Sequence, residues 1–140
     1  ANNIAYINEP LYHYRMHESS VTKKYNPNIF TYANRLINEV STFINKYHYN
    51  DEKFVQGYHN MVATVFIENM ILDFLHHKNP ENYLARRRKF NEVINTNPYK
   101  EAFKKVELEQ FNVKQKIEIM LLKSKLFLPL LLYFNRRFGK

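Results

Sequence analysis

The stretch DEKFVQGYHNMVATVFIENMILDFLHH, residues 51–77, decides how this chain of 140 residues folds. Its apolar side chains recur at steps of three and four residues, the period of one face of an α-helix, and they are numerous enough to cover more than one face. Asp51 and Glu52 stand in the first turn, where carboxylates complement the helix dipole. The pattern predicts a long helix that begins at Asn50 and lies at the centre of the fold.

Helical patterns continue on both sides of this stretch. Asn-Pro occurs at residues 26–27, 79–80 and 97–98, and each time a helical pattern follows. Asn is a good N-cap and Pro suits the first helical position, so each pair predicts a helix start. Asn112, with Gln115 three residues later, predicts a further start through a capping box. Pro129 predicts a kink or break in the last helix. The fold is therefore predicted to be mainly α, about five helices in a bundle.

The beginning of the chain has a different pattern. IAYI, residues 4–7, and LYHYR, residues 11–15, are short, rich in Tyr and Ile, and separated by turn-forming residues. They predict two extended segments. Because a lone hairpin is rarely stable in water, these segments either pack on the helices or pair with a sheet that this chain does not contain.

Composition excludes several classes of protein. Hydrophobic residues make up 45% of the chain and there are only two glycines, which excludes a disordered or low-complexity protein. The absence of cysteine excludes disulfides, thiolate metal sites and a cysteine nucleophile. The only aspartates are Asp51 and Asp73, and the glycines are too few for a phosphate-binding loop.

The formal net charge is +8, and it is concentrated in two places. Residues 113–140 hold seven Lys and Arg against one Glu, and residues 86–89 form a second basic run. Such charge favours anionic lipid, nucleic acid or phosphorylated partners. Nucleic acid is the weakest of these, because the aromatic residues lie at helical core spacing. We interpret the run 86–89 as a solvated helix surface, and His76 and His77 as complementing the dipole at a helix C-terminus.

The C-terminal region contains a nine-residue apolar run, Leu126–Phe134, with cations on both sides. Spanning a bilayer takes roughly 20 residues, so this run predicts a segment that lies on an anionic membrane surface. The alternative is that the same apolar surface packs into the helical core or forms a homodimer interface.

Residues 9–22, EPLYHYRMHESSVT, carry the one specific motif of the chain. They resemble the end of the catalytic domain of bacterial family 2 glycosyltransferases, in which a pattern like PLYxYRxHxxSxT recurs before a helical tail of about this length. The matching residues are Pro10, Leu11, Tyr12, Tyr14, Arg15, His17, Ser20 and Thr22. Ser19 stands where many relatives carry glycine. The resemblance implies that residues 1–25 are the remnant edge of a catalytic domain and that residues 26–140 are a helical C-terminal domain.

For the intact enzyme, the resemblance implies a GT-A fold and sugar transfer from a nucleotide-sugar donor to a glycan or lipid-linked acceptor, with Mg²⁺ or Mn²⁺ as cofactor, in polysaccharide or cell-surface glycan synthesis. Arg15, His17, Ser20 and Thr22 would bind the donor diphosphate, and His17 would alternatively ligate the metal. The acidic motif and catalytic Asp of that family lie upstream, so we expect the present chain alone to be inactive. The location implied is cytoplasmic, peripheral at the inner face of the cell membrane.

Two other hypotheses stay open. His13 and His17 have a spacing known from helical zinc ligands. The local pattern is extended and no third ligand is near, and both points argue against an independent zinc site. The alternative from another functional class is a stand-alone basic helical interaction module without an enzymatic role.

Overall fold

The computed structural model describes residues 23–47 and 51–138, and within these ranges the chain is helical without a strand. A short 3-10 turn, Leu108–Gln110, precedes the last two helices. The helices are α1 (Ile29–Lys46), α2 (Glu52–Leu72), α3 (Tyr83–Ile94), α4 (Tyr99–Lys105), α5 (Val113–Lys123) and α6 (Phe127–Phe138). The prediction of a mainly α protein is confirmed, with six helices in the described residues.

Helix α2 lies at the centre, as its wide apolar stripe predicts. It packs against α1, α4 and α5, and its buried residues include Val62, Ala63 and Met70. The Phe66 ring is the hub of an aromatic cluster, with ring centroids 5.2 to 6.4 Å away in residues from α1, α3, α4 and the turn after α2. Those partners are Phe30, Phe74, Phe90, Tyr99 and Phe103. Because α2 has several neighbours, its fully buried residues form a wide stripe, and Tyr58, Met61, Val65 and Ile71 on the flanks of that stripe are partly buried against the core.

The helix starts agree in part with the sequence signals. The capping box at Asn112 is confirmed, since its side chain accepts from the Gln115 N–H at 3.0 Å and the Gln115 side chain accepts from the Asn112 N–H at 3.2 Å. The start expected at Asn79 is wrong, because Asn82 caps α3 instead. Asn79 is buried in the preceding loop and donates to the Asp73 carbonyl at 2.9 Å.

The predicted last helix is two helices, and the break comes before Pro129. Helix α5 ends at Lys123, and Lys125 adopts a left-handed backbone with φ 55°, a conformation common just after a helix end. Pro129 then lies in the first turn of α6, where a missing N–H costs nothing. We call the α5–α6 pair the C-terminal hairpin. Helix α5 packs against α2, α4 and α6, and the Phe127 ring of α6 lies 5.2 Å from the Phe90 ring of α3.

The extended segments predicted at residues 4–7 and 11–15 lie outside the described residues, as does most of the proposed remnant 1–25. Of the helices in the described part, none has a run of apolar residues sufficient to cross a membrane.

Candidate functional site

The first described residues are fixed to the end of α2, immediately after the polar motif of residues 9–22. The Asn26 N–H donates to the Leu72 carbonyl at 2.9 Å. The His76 Nε2 lies 3.0 Å from the Lys23 carbonyl, and the Tyr25 ring lies 5.8 Å from the imidazole. The helical core therefore holds the chain one residue after Thr22.

His76 is buried in this place by the loop that follows α2. The Lys78 N–H donates to its Nδ1 at 3.1 Å, so a neutral ring with its hydrogen on Nε2 satisfies both contacts. The interpretation that His76 and His77 complement a helix C-terminus is wrong, because α2 already ends at Leu72. His77 is exposed and stacks on the His76 ring at 4.6 Å.

Asp73 is fully buried beside the same loop and forms an ion pair with α3. The Lys89 Nζ donates to Oδ1 at 3.3 Å and lies 3.0 Å from Oδ2, which is held by the ionic contact alone. Burial raises the pKa of the Asp73 carboxyl above its ordinary value, and Lys89 opposes that rise. Arg86 donates through Nε to the Phe74 carbonyl at 2.6 Å. We call Tyr25, Asp73, His76, Arg86 and Lys89 the junction.

The junction divides the basic run 86–89 between two environments. Arg87 and Arg88 are exposed, as the solvated-surface interpretation requires, whereas Arg86 and Lys89 are half-buried against the turn after α2. The sequence contains one signal for this division. Asp73 is one of two aspartates and falls directly within the apolar stripe, between Met70 and Phe74.

The polar groups of the junction hold the first described residues and α3 against the loop after α2. Its carboxylate is neutralised by Lys89, and its imidazole is occupied by two backbone groups. Among residues 23–47 and 51–138, no cluster of three or more His, Asp and Glu could hold a metal ion. The predicted diphosphate-binding residues Arg15, His17, Ser20 and Thr22, and the alternative zinc ligand His13, lie outside the described residues.

A second candidate is the outer face of the C-terminal hairpin. Phe127, Leu130 and Phe134 bury one side of α6 in the core. Ile119 and Leu122 of α5 are also buried, and Leu121, Leu131 and Tyr133 are partly buried, whereas six other large apolar side chains of the hairpin are 43% to 74% exposed. They are Val113, Ile117, Met120, Leu126, Leu128 and Leu132. This set, together with the flanking cations Lys114, Lys116, Lys123 and Arg136, is called the hairpin surface below.

Comparison with protein-family models, with curated proteins and with solved structures finds no match to this chain.

Proposed function

We propose that this chain is the helical C-terminal part of a glycosyltransferase similar to family 2, which transfers a sugar from a nucleotide-sugar donor in polysaccharide or cell-surface glycan synthesis. The observation that carries the proposal is the motif of residues 9–22, with its fixed order of Tyr, Arg, His and hydroxyl residues. In the intact enzyme Arg15 binds the donor diphosphate through its fork of N–H donors. His17 binds the same phosphate or the divalent metal, and Ser20 and Thr22 donate further hydrogen bonds.

The role of the helical domain in this proposal is to hold the edge of the donor site. Support comes from the contacts of the first described residues, since the Lys23 carbonyl lies against His76 of the junction and the Asn26 N–H donates to the Leu72 carbonyl at the end of α2. An attachment one residue after Thr22 restricts the positions that the motif can take, and a small displacement of a phosphate-binding group costs much of its effect on rate.

The intact enzyme would work on the cytoplasmic side, peripheral at the inner face of the membrane. The basic charge and the exposed apolar side chains of the hairpin surface support that placement.

The test uses the longer native chain, including its upstream catalytic region, with a panel of UDP-sugars and release of UDP as the readout. Arg15→Ala and His17→Ala should each lower turnover by about a hundredfold or more, as loss of a phosphate-stabilising donor does. His13→Ala is the matched control, because residue 13 is a variable position of the motif, and it should leave turnover nearly unchanged. Normal sugar transfer by the Arg15 and His17 variants would remove the assignment.

The positioning role has its own pair of variants. His76→Ala in the longer chain should raise the donor KM and lower turnover, since the tie to the Lys23 carbonyl is lost. His77→Ala removes a neighbouring exposed imidazole and should change neither. Equal effects of the two substitutions would show that the junction does not position the motif.

The second candidate is a basic helical interaction module without an enzymatic role, and the hairpin surface favours it. If the longer chain does not transfer sugar while the hairpin surface still binds an anionic membrane, this candidate is the correct one.

A further inference from the structure

The hairpin surface is apolar on two helices at once. In α5, Val113, Ile117 and Met120 recur at steps of four and three residues, on the side opposite the buried Ile119 and Leu122. In α6, Leu128 and Leu132 are 50% and 60% exposed, one turn apart, and Arg136 follows after another turn. Leu126 lies exposed in the connection between the helices. Each helix therefore has one apolar side that is buried in the core and a second apolar side that is exposed.

The charges around these side chains are of one sign. Successive helical residues turn by about 100°, so Lys114 flanks the α5 stripe on one side while Lys116 and Lys123 flank it on the other. The single acidic residue of the hairpin, Glu118, is only 3% exposed. Lys125 is exposed, and its ammonium donates to the side-chain oxygen of Asn95. What reaches solvent on the hairpin surface is aliphatic side chains within a border of cations.

Exposed aliphatic side chains bordered by cations fit some partners of the hairpin surface better than others. A second copy of the chain, paired through the same surface about a two-fold axis, would bring like cations face to face, which opposes association. A nucleic acid would pair with the cations but give the leucines no apolar surface to enter. A bilayer containing anionic lipid satisfies both, because the aliphatic side chains enter the interface while Lys and Arg stay at the head groups.

We propose that the hairpin surface is a docking site for anionic lipid bilayers, on which α5 and α6 lie flat, with Leu126, Leu128 and Leu132 inserted and Lys114, Lys123 and Arg136 on the head groups. This inference rests on the peripheral placement proposed above and not on sugar transfer, so the two can fail separately.

The experiment is co-sedimentation of the 140-residue chain with vesicles of phosphatidylglycerol and phosphatidylcholine in equal parts, and with vesicles of phosphatidylcholine alone. The chain should bind the anionic vesicles, bind the neutral ones far less, and lose affinity as NaCl is raised. Leu128→Asn with Leu132→Asn should weaken binding about a hundredfold, because each loses roughly tenfold of apolar transfer. Lys114→Gln with Lys123→Gln should weaken it on the order of 20-fold, at about fivefold per cation.

Matched controls come from α3. Leu84 is 70% exposed, and Arg87 and Arg88 are exposed cations outside the hairpin. Leu84→Asn, and Arg87→Gln with Arg88→Gln, should bind vesicles nearly as the wild type does. Circular dichroism should show that each variant is folded, because every substituted side chain is exposed.

Four results would overturn the proposal. Binding by the hairpin variants equal to that of the wild type would leave membrane association but move it to another surface. Equal losses in the α3 controls would show that only net charge matters. Absence of wild-type binding to anionic vesicles would remove both the surface and the peripheral placement. If sedimentation velocity shows instead a dimer that Leu128→Asn with Leu132→Asn dissociates, with vesicle binding unchanged, the occupant is a second copy.

Discussion

Helices α2 and α6 are both dense in large apolar residues, yet they use them differently. In α2, Val62, Phe66 and Met70 are fully buried, because neighbouring helices cover it from several sides. In α6, three residues enter the core while Leu128 and Leu132 remain at least half exposed. Apolar composition therefore predicts that a helix forms and packs, but the number of its neighbours decides how much of its surface is buried.

The largest expected effect comes from breaking the core of α2. Phe66→Ala removes a fully buried ring that contacts five aromatic neighbours, and it should lower the free energy of unfolding by about 3 to 5 kcal/mol. Leu132→Ala, the counterpart on the exposed side of α6, should change it by about 0.5 kcal/mol or less. Urea denaturation measures both. Similar losses at the two positions would contradict the distinction between the helices.

The next effect concerns the ion pair that ties α3 to the end of α2. Lys89→Met leaves the Asp73 carboxylate buried without its cation, at a cost of about 2 kcal/mol at neutral pH. That is below the range for a fully buried pair, because the Lys89 side chain keeps 32% exposure. The loss should shrink as the solution is acidified and Asp73 becomes protonated. Lys100→Met, at an exposed lysine of α4, is the control and should have little effect at any pH.

A smaller effect tests the start of the C-terminal hairpin. Asn112→Ala removes the capping box of α5 and should cost about 1 kcal/mol of unfolding free energy. Asn28 occupies the same cap position at α1 but makes no side-chain cap hydrogen bond. Asn28→Ala should therefore be close to neutral in the same thermal or urea melts, and an equal cost at the two caps would argue against the reciprocal bonds at Asn112.

The smallest effect is a pH dependence inside α5. Burial raises the pKa of Glu118 above its ordinary 4.5, and burial together with the Glu118 carboxylate raises the pKa of Tyr133. A raised folded-state pKa gives stability that is fully present below pH 4.5 and is lost as pH rises through the folded value. Glu118→Gln should remove that loss, so the variant gains stability relative to the wild type between acidic and neutral pH. A difference that is constant across this range would show that the carboxyl titrates as in the unfolded chain.

Much of the secondary structure was readable from the sequence, because its signals are local. The apolar stripe of α2 and the capping box at Asn112 depend on residues within a few turns of each other, and both are confirmed. The contacts of the junction could not be predicted from local patterns. Asp73 and Lys89 lie sixteen positions apart, and nothing local in either segment shows that they meet. The helix start predicted at Asn79 was wrong because Asn is favoured both at N-caps and in loops.

The sequence by itself determined that this chain is mainly helical, that α2 is central, and that positive charge accumulates towards the C-terminus. It determined these because helical periodicity, capping and charge are properties of neighbouring residues. Only the tertiary structure decided that the last helix is a hairpin, which of its leucines enter the core, and that the residues after Thr22 are bonded to the end of α2. Those outcomes depend on which surfaces other elements cover, a property of the assembled chain that no single segment contains.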